Sequence, residues 1–316
     1  MVSPEQGNQT SITEFILLGF RTLPELKILL FLLFLMIYIA TMAGNILIVT
    51  LVVADQHLHT PMYFFLGNLS CLETFYTSTI LPRMLASLLT EDRTISFNGC
   101  FTQFFFFGSL VGTECILLSV MSYDRYLAIC NPMHYAARMS GRAWLQFAGG
   151  SWLGGFLGNS ITMLSISQLT FCGSNDIDHF FCDFIPLINH SCNDPQLTEI
   201  LAFTLILIFS LVPFLLTLLS YIFIIATILR IPSSTGRQKA FSTCSSHLIV
   251  VTIFYGTLLT VYMFPTTKTL RDFKKVLSVV YTVLTPLVNP LIYSLRNKEV
   301  KEALRKAYRK CRFEQC

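Results

Sequence analysis

Between Lys27 and Asp55, Glu199 and Arg230, Lys239 and Lys268, and Lys275 and Arg296, this chain runs for twenty residues or more without an Asp, Glu, Lys or Arg. A helix rising 1.5 Å per residue crosses ~30 Å of hydrocarbon in ~20 apolar residues, so each stretch is long enough to span a bilayer. Ala143 to about Ser167 is another such stretch. Thr60 to Leu89 and Gly99 to Tyr123 carry one acid each, Glu73 and Glu114. Composition agrees: 13% of the 316 residues are charged and 53% hydrophobic, where a soluble domain usually carries about 25% charged residues. The expected fold is all-α, a bundle of seven membrane-crossing helices.

An odd number of crossings puts the termini on opposite sides. With the N-terminus outside, the inner segments carry 14 of the 22 Lys and Arg, and 11 acids outweigh the eight outer cations. The positive-inside rule favours that orientation. Lys268, Arg271, Lys274 and Lys275, crowded in the third outer loop, run against it. The chain divides into an N-terminus over 1–27, a seven-span membrane domain over 28–296 and a tail over 297–316. Residues 1–27 are polar and mixed, without the pattern of a cleavable signal. In the tail, Val300, Leu304, Ala307 and Tyr308 share one face of a basic amphipathic helix. Such a helix lies along the anionic lipids of the inner leaflet.

Cys100, Cys172, Cys182 and Cys192 fall on the outer side, where an oxidising compartment favours disulfides. Four cysteines allow three pairings. Cys71, Cys115, Cys130 and Cys244 read as small apolar fillers. Cys311 and Cys316 end a basic tail, a weak signal for palmitoylation. Three of the outer cysteines lie in the long loop from Gln168 to Thr198, which reads as a lid. Asn8-Gln9-Thr10 is a glycosylation sequon on the outer side, and Asn189-His190-Ser191 a second. Asn68-Leu69-Ser70 fits the pattern but sits inside a span.

Met121-Ser122-Tyr123-Asp124-Arg125-Tyr126-Leu127-Ala128-Ile129-Cys130 closes the third span. Gly44-Asn45 lies in the first, and Leu58-His59-Thr60-Pro61-Met62-Tyr63-Phe64-Phe65-Leu66 opens the second. Ser220-Tyr221 lies low in the fifth, and Lys239-Ala240-Phe241-Ser242-Thr243-Cys244-Ser245-Ser246-His247-Leu248 opens the sixth. Pro286-Leu287-Val288-Asn289-Pro290-Leu291-Ile292-Tyr293 closes the seventh. In this order the motifs resemble the odorant-receptor branch of the rhodopsin-like G-protein-coupled receptors, over nearly the whole chain.

The resemblance implies disulfides Cys100–Cys182 and Cys172–Cys192. It also gives a meaning to Phe104, Phe107, Gly108, Val111 and Gly112, which share one helix face. Helix packing alone would explain that face, since glycines let neighbours approach; the resemblance places it on a ligand cavity. Tyr255, Leu258, Leu259 and Tyr262 repeat the pattern in the sixth span, and Leu205, Ile206 and Thr282 correspond to pocket positions. Such a cavity is apolar with a few hydroxyls and no fixed charge. Related amine receptors place an acid about where Phe107 stands, so the expected ligand is a small, neutral, volatile odorant. Burial supplies ~1.5–3 kcal/mol per aliphatic side chain's worth of surface, which implies micromolar binding.

By the same resemblance, Asp124, Arg125, Tyr126, Arg138, Tyr221, Arg237, Lys239, Asn289, Pro290 and Tyr293 form the switch and the coupling surface. The partner is a heterotrimeric G protein with a stimulatory olfactory-type α subunit, which raises cAMP. Glu73 and Glu114 lie in hydrocarbon beside Asn45 and Asn289, and two carboxylates there must be protonated, paired or hydrated. A protonated pair and an allosteric sodium ion are equally good readings; no other cofactor and no nucleic-acid partner is expected. The sixth span lacks the Trp-x-Pro kink of many rhodopsin-like receptors and has Tyr255 instead, above a basic rather than acidic base.

Two enzyme-like clusters fail. His179-Phe180-Phe181-Cys182-Asp183 looks like a metal site, but a disulfide at Cys182 would remove its thiolate. Ser245, Ser246 and His247 are sequence neighbours without a third triad member. A solute transporter would line a continuous path with polar groups, and the spans offer only Glu73 and Glu114 as acids. A chemoreceptor of the same family acting outside the olfactory epithelium is the other alternative.

Overall fold

A computed structural model describes residues 12–20, 24–264, 268–296 and 298–314. These residues are mostly helical. The long helices are α1 (Lys27–Ala54), α2 (Pro61–Thr90), α3 (Phe97–Cys130), α4 (Gly141–Ile166), α5 (Gln196–Leu229) and α6 (Ser234–Met263). Then come α7, running through Lys268–Val279, Val280–Leu284 and Thr285–Arg296, and α8 (Lys298–Glu314). Five of these, α1, α3, α5, α6 and α7, contain stretches long and apolar enough to cross a membrane. The other two long helices of the bundle, α2 and α4, carry more polar and small residues and pack among them.

Burial shows which helix is central. In α3, 56% of the most apolar 18-residue stretch is buried, against 22% in α1 and α5. The outward faces of α1 and α5 display Ile28, Leu29, Met36, Leu215 and Ile222. Exposed apolar faces on helices this long need lipid around them.

The helices end where the sequence provides stops. Pro61 takes the first turn of α2, where its missing N–H costs no hydrogen bond. Ser96 caps α3, its hydroxyl accepting the Gly99 N–H at 3.1 Å. In α5, Leu207–Leu211 widens into a π-turn just before Pro213; in α7, Val280–Leu284 does so just before Pro286. A proline removes an intrahelical donor, and a π-turn rotates the residues that follow it.

α3 and α4 approach through glycines. A Cβ on Gly155 would fall on the Thr113 hydroxyl and within 2.5 Å of the Ser109 carbonyl oxygen. One on Gly158 would meet the Phe209 ring at 2.6 Å.

One end of the bundle is covered by a lid built on a small sheet, with one short helix at Phe184–Ile188. β1 (Glu14–Leu17) pairs antiparallel with β2 (Thr94–Ser96) and parallel with β3 (Asp176–Ile177), in the order β2-β1-β3. This small sheet is an addition to the expected all-α bundle, and it draws part of the N-terminal segment, read as polar and mixed, into the structure. Phe15 is fully buried among Phe97, Phe171 and His190, which makes β1 part of the packed structure. Disulfides Cys100–Cys182 and Cys172–Cys192 hold the lid, with Cα separations of 5.5 and 5.9 Å.

Candidate ligand cavity and the opposite end of the bundle

Beneath the lid, α3, α4, α5 and α6 line an open-mouthed cavity with about 720 Å³ of atom-free space, counted out to its mouth. Phe104, Phe107, Gly108, Val111 and Gly112 all face it from α3, as do Leu205 and Ile206 from α5 and Leu258 and Tyr262 from α6. Glycines provide the room. A Cβ on Gly108 would lie 2.7 Å from Asn159 Oδ1, so the close approach of α4 depends on that glycine.

Three residues expected on the wall lie elsewhere. Tyr255 is buried one turn and more below Tyr262, where its hydroxyl donates to the Cys115 carbonyl at 2.5 Å. Cys115 itself faces the cavity, so Tyr255 ties α6 to the cavity floor from behind. Leu259 packs half-buried against the main core. Thr282 lies in the π-turn of α7, buried, with its hydroxyl on the Ser278 carbonyl at 2.6 Å.

The cavity also has residues that the sequence reading missed. Gly155, Gly158, Asn159 and Thr162 come from α4, and Phe209 and Ser210 from the π-turn of α5. Asp183 and Phe184 reach in from the lid. Glycine and asparagine add nothing to an apolar face, and a π-turn breaks the 3.6-residue period on which such a face is read. Asp183 corrects the expectation of a wall without fixed charge. It is 4% exposed, and its Oδ1 accepts from Phe184 N at 2.8 Å and from the Tyr262 hydroxyl at 2.7 Å. Burial pushes its carboxyl up to about 6, while the Tyr262 and Phe184 hydrogen bonds and the Lys274 charge work the other way.

Tyr262 lies 3.3 Å from the Tyr281 hydroxyl of α7. Two cations of the cluster at the start of α7 meet one acid of the lid: Lys275 contacts Asp178 at 2.7 Å and Arg271 reaches it at 3.7 Å. His179 is buried between Phe180 and Phe181, and burial pulls its imidazole down to about 3. Cys182 is held in its disulfide. Among the described residues, no cluster of three His, Cys, Asp or Glu side chains could hold a metal.

Midway down the bundle, Asn289 Nδ2 donates to Glu73 Oε1, and Asn45 Nδ2 to the Pro286 carbonyl at 3.2 Å. Both Glu114 oxygens, Glu73 Oε2, Asn45 Oδ1 and Asn289 Oδ1 are buried without a hydrogen-bond partner. Orphaned acceptors in hydrocarbon need a proton or a cation. This donor set suits either.

At the end away from the lid, Arg125 contacts Asp124 at 3.5 Å, and the Tyr135 hydroxyl donates to Asp124 at 2.9 Å. The Tyr126 hydroxyl accepts from Asn131 at 3.1 Å. Buried Tyr221 and His247 Nδ1 are 2.6 Å apart, joining α5 to α6. Arg138 and Arg237 are exposed, and Asn289 and Pro290 buried. The side chains of Lys239 and Tyr293 lie outside the described residues, as do Asn8 and Cys316. Asn189 is exposed. Asn68 is not open to modification: its amide donates to the Phe64 carbonyl and accepts from Trp152.

A family model described as olfactory receptor matches residues 34–310. Mouse olfactory receptor 5AP2 is 51% identical over 304 residues, covering 96% of this chain and 95% of its own. Human olfactory receptor 6N1 is 50% identical over 302 residues, covering 96% and 97%. Human olfactory receptor 11A1 is 49% identical over 300 residues, covering 95% of each.

Proposed function

Because the chain belongs to the olfactory receptor family of multi-pass plasma-membrane G-protein-coupled receptors, we propose that its cavity takes a small, neutral, largely apolar odorant and that occupancy activates a stimulatory olfactory-type G protein, raising cAMP. The observation that carries this reading is the cavity itself. It is largely apolar, edged by Asp183 and Phe184 of the lid, and walled by helices that run on to Arg125, Tyr221 and His247 at the other end.

A ligand shifts a receptor only by preferring one of its states. Tyr255 offers the route. Its hydroxyl holds α6 to the carbonyl of a cavity residue, Cys115. A ligand that displaces α3 against α6 loosens that tie, and the far end of α6 swings away from Arg125, exposing a cleft for the G protein. Arg138, Arg237 and Lys239 flank that cleft.

In this reading all seven long helices cross the bilayer, the domain spans 28–296, and the lid faces outside. The pairing of Arg271 and Lys275 with Asp178 supports the orientation, because it gives the outer cations a local partner. α8, with Val300 and Ala303 buried and Lys301, Arg305 and Lys306 exposed, lies as an eighth helix on the inner leaflet. Asn8 is glycosylated. Glu73 and Glu114, beside Asn45 and Asn289, are either a protonated pair or the site of a sodium ion; replacing sodium by choline and reading basal cAMP in wild type and Glu114→Gln separates the two.

The main test is an odorant panel in a cAMP reporter cell with olfactory-type α subunit. Neutral odorants should respond, and responses should fall with Val111→Phe, which fills the cavity. A receptor answered only by charged amines, or one whose responses ignore Val111→Phe, refutes the reading. Solute uptake without a cAMP rise would make the chain a transporter.

A further inference from the structure

The hydrogen-bonding groups on the cavity wall are one-sided. The Asn159 amide donates to the Phe105 carbonyl at 2.8 Å and to the Ser109 hydroxyl at 3.4 Å. The Ser210 hydroxyl donates to the Ile206 carbonyl at 2.6 Å, and Tyr262 to Asp183. Thr162 holds the weakest of these bonds, 3.5 Å to the Gly158 carbonyl. The wall's donors therefore already have acceptors. What is left over is acceptor capacity, concentrated in the buried Asp183 carboxylate, whose two hydrogen bonds from Phe184 and Tyr262 both use Oδ1. A ligand that only accepts must break one of the existing bonds. One that donates need break none, because Asp183 Oδ2 takes part in neither of those two bonds.

Charge narrows the class further. Lys274 is buried at the start of α7 and acts electrostatically on Asp183. A cationic amine would meet that charge; a neutral hydroxyl would not.

We propose that Asp183 is the specificity-determining residue of the cavity, accepting a hydrogen bond from the hydroxyl of a small apolar alcohol or phenol. The receptor then discriminates against the ketone, aldehyde or ether of the same carbon skeleton. This rests on reading the cavity as the odorant site.

The test uses matched pairs on common skeletons: linear C6 to C12 alcohols with their aldehydes and methyl ketones, terpene alcohols with their ketones, and phenols with their methyl ethers. Dose–response curves are recorded for wild type, Asp183→Asn, Asp183→Leu and Val111→Phe, with surface expression read by an N-terminal epitope. In wild type the hydroxyl member of an active pair should be about tenfold or more the more potent, the size expected of one hydrogen bond to a charged acceptor. Asp183→Asn, which keeps the shape but adds a donor, should narrow the gap by raising carbonyl responses. Asp183→Leu should close it by lowering hydroxyl responses. Equal or better potency of the carbonyl members in wild type overturns the proposal, as does a gap that survives Asp183→Leu or silence to every hydroxyl compound. If Val111→Phe abolishes responses while the gap survives Asp183→Leu, the donor preference alone fails. If Val111→Phe changes nothing, the cavity is not the odorant site.

Discussion

Asp183 is a carboxylate that the fold buries against its ordinary preference. With a folded value of about 6 against 3.8 unprotected, the protonated form is favoured by folding. The sign follows from linkage. Its contribution to stability is complete below about 4 and is lost as pH rises through about 6, leaving at pH 7 a burden on the order of 2–3 kcal/mol. Asp183→Asn keeps the acceptor for Tyr262 and removes the charge. The purified variant should melt several degrees above wild type at pH 7.4, and the difference should shrink on acidification to pH 5. A difference that grows on acidification would show that Lys274 more than compensates the charge. No sequence pattern marks this residue, because Asp183 reaches the cavity only after Cys182 is pinned to α3, 82 residues away.

At the scale of elements, the α3–α4 seam and the α3–α6 tie carry separate predictions. Gly155 faces the backbone of α3, whereas a Cβ on Gly150 would meet nothing within 4 Å. Gly155→Ala should cost about 1–3 kcal/mol from overpacking and sharply reduce surface expression, while Gly150→Ala should leave it intact. Equal expression of the two variants would mean that α4 can back away from α3. Tyr255→Phe removes the hydroxyl that reaches the Cys115 carbonyl. Interhelical hydrogen bonds in membranes average about 0.6 kcal/mol and reach about 1.7. Basal cAMP should therefore rise up to several-fold at unchanged surface expression, and unchanged basal signalling would rule out this contact as the restraint. The α3 face was legible because its residues recur at helical spacing on a regular helix, and the family resemblance assigned that face to the cavity. Tyr255 shares a face with Tyr262 but sits seven residues, ~10 Å, deeper, so face without depth misplaced it. Thr282 and Ser210 were misjudged or missed because each lies in a π-turn, where the helical period fails.

For the whole molecule, orientation is the property that charge counting addresses most directly. An epitope ahead of β1 should stain intact cells, and one after α8 should stain only after permeabilisation; the reverse pattern would invert every assignment of inside and outside. The basic tail agrees with the positive-inside rule, and Arg271 and Lys275 of the contrary cluster near α7 find Asp178 in the lid. The sequence by itself determined the long apolar helices and the family, because helix length against bilayer thickness is a local property and motif order survives without coordinates. It determined one wall of the cavity for the same reason. Only the tertiary structure decided the rest of that wall. Its small and polar α4 residues and its lid carboxylate acquire their roles by contact across the chain. Depth in the bundle, register past a π-turn and the inward fold of a disulfide-pinned loop are set by packing, and no periodicity along the chain encodes them.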